Sequence, residues 1–173
     1  MSQLVFLICL GFPALLAAAA ANDVMRYRIP NAFSLALALL YLPAALLAGA
    51  GWQEIAWHMG AGACVLLAGM ALFFANLFGG ADAKMLAAAA CWTGFALLPP
   101  FLVVMALAGG ILALVLLALR FVLARRATVG DESSWLGRQV LRPRAVPYGL
   151  AIAVGGIAVF HRLPTVAWAI HVP

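Results

Sequence analysis

Four stretches of this chain carry no Asp, Glu, Lys or Arg: residues 1–22, 31–53, 55–81 and 85–119. Crossing about 30 Å of hydrocarbon takes roughly 20 apolar residues in a helix, and each stretch is long enough. A further apolar run covers roughly residues 145–161. Composition agrees, because 68% of the 173 residues are hydrophobic and only 9% are charged. Ordinary soluble domains carry about 25% charged residues, and a globule of this size could not cover its surface with so few. Water-soluble enzymes, disordered tails and coiled coils are therefore excluded. The predicted fold class is an all-α integral membrane protein, one polytopic domain over residues 1–173, with six transmembrane helices near 3–22, 31–49, 55–77, 82–98, 101–119 and 146–162.

Orientation follows from the basic residues. Arg26 and Arg28 lie between the first two helices, Lys84 between the third and fourth, and Arg120, Arg125, Arg126, Arg138, Arg142 and Arg144 between the fifth and sixth. With both termini extracytoplasmic, these nine fall in the cytoplasm and only Arg162 lies outside, as the positive-inside rule requires. The net charge of +5 thus reports topology and gives no reason to expect a nucleic-acid partner. The stretch 120–145, which holds Trp135, is expected to be a basic cytoplasmic loop whose charge topogenic signalling alone explains. The alternative is that Arg138, Arg142 and Arg144 attract anionic lipid headgroups. Pro99-Pro100 is expected to end the fourth helix and start the fifth at the outer surface. If residues 82–119 were one helix, the basic loop would fall outside. The alanines before Asn22 imitate a signal-peptide cleavage site, but Met1-Ser2-Gln3 has no positive charge and Arg26 and Arg28 follow the apolar run, which favours an uncleaved helix.

With five acids in all, their placement carries information. Glu54 in a short outer loop and Asp131-Glu132 in the inner loop read as solvated residues. Asp23 closes the first apolar run and Asp82 opens the fourth helix after Gly79-Gly80-Ala81. The first helix runs inward and the fourth outward, so these two carboxyls, far apart in sequence, fall at one level. Acids at such a position are costly unless paired, hydrated or used. Two carboxyls in close contact do not readily ionise together. One can then take a proton from water while the other gives one to a carbonyl, with no metal and no covalent nucleophile. The structural alternatives are that Asp82 caps the fourth helix and that Asp23 simply ends the first beside Arg26. Spacing alone leaves these roles and catalysis evenly matched.

The local sequences shift that balance. Asp23-Val24-Met25-Arg26-Tyr27-Arg28-Ile29-Pro30-Asn31 resembles the first active-site segment of the aspartic prepilin peptidases, an aspartate at a helix end followed by basic residues and Ile-Pro-Asn. Gly79-Gly80-Ala81-Asp82-Ala83-Lys84 is similar to their second segment, G-x-G-D followed shortly by lysine. Arg144-Ala145-Val146-Pro147-Tyr148-Gly149 resembles a weaker family signature entering the last helix. The resemblance implies a peptidase of the bacterial inner membrane that removes the short cytoplasmic leader of type IV pilin-like precursors, with Asp23 and Asp82 as the catalytic pair and Gly79, Gly80 and Lys84 in support. It implies no cofactor and no metal. Its implied partners are membrane-embedded prepilin and pseudopilin precursors, the lipid bilayer, and possible contact with the pilus-assembly machinery. Two departures stand out. Ala81 occupies the place of the glycine before the second aspartate, where a methyl restricts the backbone. No long cysteine-bearing insertion separates the first two helices, so the chain resembles the short, peptidase-only branch of Flp or tight-adherence pili, without methyltransferase activity.

Two other classes of function compete. Asp23, Asp82 and Lys84 would suit a charge relay in a small ion-coupled transporter, although such sites lie nearer the midplane with broken helices. A non-catalytic scaffold for pilus assembly would need neither acid. Among the remaining residues, Gly79 and Gly80 are expected to allow a tight turn or to end the third helix. Lys84 suits a carboxylate partner, a substrate contact or a surface anchor. Pro30-Asn31 starts the second helix, and Asn76 reads best as polar packing between helices. Gly60, Gly62, Gly69, Gly109-Gly110 and Gly155-Gly156 would let helices approach closely. Cys9, Cys64 and Cys91 read as buried small hydrophobes, and His58, His161 and His171 form no metal constellation. Trp52, Trp57 and Trp168 suit an outer aromatic belt.

Overall fold

The computed structural model of the chain describes residues 2–126 and 146–171, and every regular element among them is helical. In order these are α1 (Ser2–Arg26), α2 (Asn31–Leu47), α3 (Trp52–Phe74), α4 (Gly80–Arg126), α5 (Tyr148–Val159) and α6 (Pro164–His171), with a 3-10 turn at Phe160–Arg162 joining the last two. The side chains of the expected belt residue Trp168, and most of the expected basic loop with Trp135, Asp131 and Glu132, lie outside the described residues. Among the described residues four stretches are long and apolar enough to cross a membrane, namely Gln3–Arg26, Trp52–Phe74, Gly80–Val122 and Tyr148–Ala167. The second expected span, α2, is a shorter apolar helix of 17 residues. The fourth and fifth expected spans belong to one element of 47 residues, which continues past Leu119 into the stretch expected to be loop.

That long element is not a straight rod. Gly94 has φ 57° and ψ −176°, outside the helical range. Gly69 on α3 lies against Ala83, and Gly94 lies against His58 one end further along α3. Gly109, fifteen residues beyond the break, lies back against Tyr148 and Ala151. The two legs of α4 therefore run in opposite directions. The sequence pointed to Pro99-Pro100 as the place of reversal, and the structure moves it to Gly94. Proline holds φ near −65°, which is a helical value, so it disrupts a helix without supplying the positive φ used here. Glycine enters that region at no steric cost.

A break frees carbonyls in the turn that precedes it, and two of them take side-chain donors. His58 donates through Nδ1 to the Cys91 carbonyl (2.9 Å), and the Thr93 hydroxyl donates to the Ala90 carbonyl (3.3 Å). The His58 ring stacks on Tyr41 at 5.5 Å between centroids. The Trp92 indole, itself fully buried, donates to the Leu37 carbonyl (2.8 Å) and ties α4 to α2. His58 is thus a buried histidine that helps to hold the break.

The first leg of α4 forms the centre of the bundle, with Ala83 and residues 85–93 all buried. Inside a bilayer, close contact and matched polar groups drive helix association more than water exclusion does, and small residues permit that contact. Gly62 faces Cys91 and the Ala87 carbonyl, Gly69 faces Ala83, Gly155 faces Phe101 and Met105, and Gly156 faces Leu16 and Phe12. The expected close approaches are present at Gly62, Gly69, Gly155 and Gly156, whereas Gly60 and Gly109 make ordinary contacts and Gly110 faces open space. Of the cysteines, Cys9 and Cys91 are buried as expected and Cys64 is exposed. Glu54, expected in a loop, falls in the first turn of α3, where the helix dipole favours an acid.

Candidate active site

Three parts of the fold meet where the two aspartates lie. The first is the end of α1. Its last turn closes with Tyr27 in the left-handed region (φ 51°), and the Tyr27 amide donates to the Asp23 carbonyl (2.7 Å). This is a left-handed helix stop made without glycine, and a non-glycine residue pays for it in backbone strain. Asn22 fixes the following loop by donating from Nδ2 to the Arg28 carbonyl (2.9 Å). Asp23 is consequently held by both flanks of its own turn, with its side chain directed inward and only 6% exposed.

The second is the junction of α3 and α4. Asn76 has φ 58°, its amide donates to the Phe73 carbonyl (2.9 Å), and the Leu77 amide donates to the Leu72 carbonyl (2.9 Å). These paired bonds make a Schellman stop. Asn76 therefore ends α3, a role that the sequence reading gave to Gly79 and Gly80 while leaving Asn76 to interhelical packing. Neither Gly79 nor Gly80 has positive φ. Their value is room: a Cβ on Gly79 would collide with Asp82 Oδ2, and one on Gly80 would meet the Phe73 ring at 3.3 Å. Ala81 and Asp82 lie in the first turn of α4 with ordinary helical backbone, so position 81 makes no demand for glycine, and the departure from G-x-G-D is accommodated.

The third is the start of α5. The Gly149 amide donates to Asp23 Oδ2 (2.8 Å) across 126 positions of sequence. Its neighbour Tyr148 lines a cavity of about 340 Å³ together with Asp82, Asn76, Val146 and the aromatic rings of Phe73 and Phe78. Phe78 and Tyr148 meet edge to face at 5.9 Å. Adjacent residues of α5 therefore reach the two acids, Gly149 touching Asp23 and Tyr148 sharing a cavity with Asp82. Asp82 is partly accessible where Asp23 is buried.

Lys84, exposed on the first leg of α4, donates from Nζ to Asn31 Oδ1 (3.2 Å) at the start of α2. This bond joins the Ile-Pro-Asn segment to the aspartate–lysine segment, and Pro30-Asn31 does open α2 as expected. Thus the structure brings together Asp23, Asp82, Gly79 and Gly80, and places Lys84 on Asn31. Sequence reasoning did not find the part played by Gly149, nor the cavity walls Phe73 and Phe78. The only signal near them was the Val146-Pro147-Tyr148-Gly149 stretch, and its contact with Asp23 has no local trace.

Asp82 on the wall of a cavity with aromatic sides, and Asp23 buried against the same turn of α5 at one end of an apolar helical bundle, form an arrangement that could support acid–base chemistry. The family model described as the type IV leader peptidase family matches residues 10–114, and the chain belongs to that family. It is accordingly a membrane peptidase. No curated protein matches the chain, and no solved structure does. The matched stretch contains Asp23 and Asp82, whereas Gly149 lies beyond it.

Proposed function

We propose that the chain is an aspartic endopeptidase of the bacterial inner membrane that removes the short cytoplasmic leader from type IV pilin-like precursors of the Flp kind. The observation that carries this reading is the convergence of Asp23 and Asp82 on the start of α5, one buried and hydrogen-bonded, the other on the wall of a cavity open to a substrate. In the reaction, one carboxylate accepts a proton from water as the oxygen adds to the scissile carbonyl. The other carboxyl gives its proton to the carbonyl oxygen. The tetrahedral adduct then collapses, the C–N bond breaks, and the leaving amine takes a proton from the pair. The two acids titrate as a unit.

In this reading the two legs of α4 are separate spans, which with α1, α2, α3 and the α5–α6 unit makes six, both termini lying outside. The stretch Gly80–Val122 is 43 residues, about 65 Å at 1.5 Å per residue and roughly twice the hydrocarbon thickness. Its first leg is short for a span. It is buried among the other helices, so lipid does not dictate its length. The aspartate end then faces the cytoplasm with Arg26, Arg28 and Lys84 near it, in accord with the positive-inside rule.

Asp23→Asn and Asp82→Asn test the proposal. Each variant, purified at wild-type yield, should leave a leader-bearing pilin precursor uncut, and cleavage at the wild-type rate by either one refutes the paired-acid reaction. A methyl-donor assay should leave the new N-terminus unmethylated. Acids gathered at one end of the bundle, away from its middle, weigh against the transporter reading.

A further inference from the structure

Asp23 is aimed by a group that no sequence motif within the matched stretch supplies. Gly149 is the second residue of α5, after Pro147 as the cap and Tyr148, and Pro147 offers no side chain to satisfy the first amides of that helix. The first amides of any helix lack intrahelical acceptors and carry the positive end of its dipole. Here the second one donates to Asp23 Oδ2 at 2.8 Å, so the acid from α1 caps α5. The contact also demands a bare Cα. A Cβ at position 149 would lie 2.9 Å from Asp23 Oδ2, 3.1 Å from Asp23 Cβ and 2.9 Å from Ile29 Cδ1. The Ile29 side chain can turn aside, but the other two obstructing atoms are the carboxylate itself and its own stem.

We propose that Gly149 is a positioning residue. Its amide anchors Oδ2 of Asp23 and leaves Oδ1 to take part in the reaction, and its missing side chain leaves the carboxyl in that place. This rests on the peptidase reading above. Because Tyr148 belongs to the cavity shared with Asp82, the same turn of α5 holds one acid and walls the other, and a shift of that turn changes the geometry of the pair. Misplacement of a reacting group by about 1 Å can cost about a hundredfold in rate.

The structure supplies its own control. Gly156 lies two turns further along α5, where a Cβ would collide with Leu16 and meet the Phe12 ring at 3.2 Å. It packs on the same helix α1, away from either acid. Gly149→Ala and Gly156→Ala should both lower the melting temperature. Only Gly149→Ala should lower kcat, by tenfold to a hundredfold at about constant KM for a leader-bearing precursor. A second readout is independent of cleavage: the Gly149 amide should exchange with deuterium at least about tenfold faster in Asp23→Ala than in wild type, as befits loss of a charge-assisted bond. Wild-type kcat in Gly149→Ala, or a parallel fall of kcat in Gly156→Ala, overturns the positioning role, and unchanged exchange in Asp23→Ala overturns the contact. A wild-type protein that leaves the precursor whole sinks the peptidase reading instead, while the exchange result still decides whether Asp23 holds α5.

Discussion

The aspartate end and the Gly94 break are two places where this bundle departs from regular helix, and they handle polar groups in opposite ways. Around Gly94 the departure is sealed. His58 meets the Cys91 carbonyl, Thr93 meets the Ala90 carbonyl, and Tyr41 and Trp92 close over them. At the other end Tyr27 and Asn76 hold left-handed backbone without glycine, and Asp82 stays on a cavity wall. A chain reversal inside a membrane must satisfy its freed backbone groups, because no water is there to do so. A reacting site must instead keep acceptor capacity and access, and its neighbours bear the resulting strain. At Gly94 the polar groups are used to hold the fold, whereas at the aspartate end Asp82 is left accessible on a cavity wall.

This contrast can be broken by experiment, beginning with the largest effect. Asp82→Asn and Asp23→Asn should each lower precursor processing by about two to four orders of magnitude, the range supplied by general acid–base catalysis, with melting temperatures close to wild type. The wild-type rate should be bell-shaped in pH, since one carboxyl must accept and the other donate. A rate flat across the acid range would remove the acid pair from the reaction.

At the sealed end the sign reverses, with stability changing and chemistry preserved. Gly94→Ala places a methyl at positive φ and within 2.7 Å of the His58 ring. It should cost about 2–4 kcal/mol, read by thermal unfolding in detergent, while the folded fraction cleaves at the normal rate. His58→Phe keeps the stacking on Tyr41 and leaves the Cys91 carbonyl unmatched, a loss of about 1–3 kcal/mol with kcat unchanged. A large drop in kcat for either variant would show that the two ends are coupled. The smallest effect belongs to Asn76→Gly, which relieves the left-handed residue that stops α3 and should raise stability by about 0.5 kcal/mol. A fall in stability would mean that the Asn76 side chain contributes more than its backbone strain costs.

Much of the site was legible because its signals are local. A run without charge must be helical where water is absent, and the few acids fall at the ends of such runs. The order of Asp23, Ile29-Pro30-Asn31, Gly79-Gly80 and Asp82 carries the family by itself. The details that went differently depend on neighbours distant in sequence. Pro99-Pro100 is a strong local breaker, yet the reversal went to Gly94, where α3 brings His58 to receive it. Gly79 and Gly80 read as a tight turn or a stop for α3, yet Asn76 makes the stop and the glycines make room for the Asp82 carboxyl and the Phe73 ring.

By itself, then, the sequence determined that the chain is a helical membrane protein, which residues are its acids, and which family it belongs to, because hydropathy and short motifs are properties of adjacent residues. Only the tertiary structure decided where α4 reverses and what holds Asp23. Both turn on contacts between helices, His58 with the Cys91 carbonyl and Gly149 with Asp23. A carbonyl or a carboxylate accepts from whichever donor packing delivers within about 3 Å, and no run of neighbouring residues specifies which one that will be.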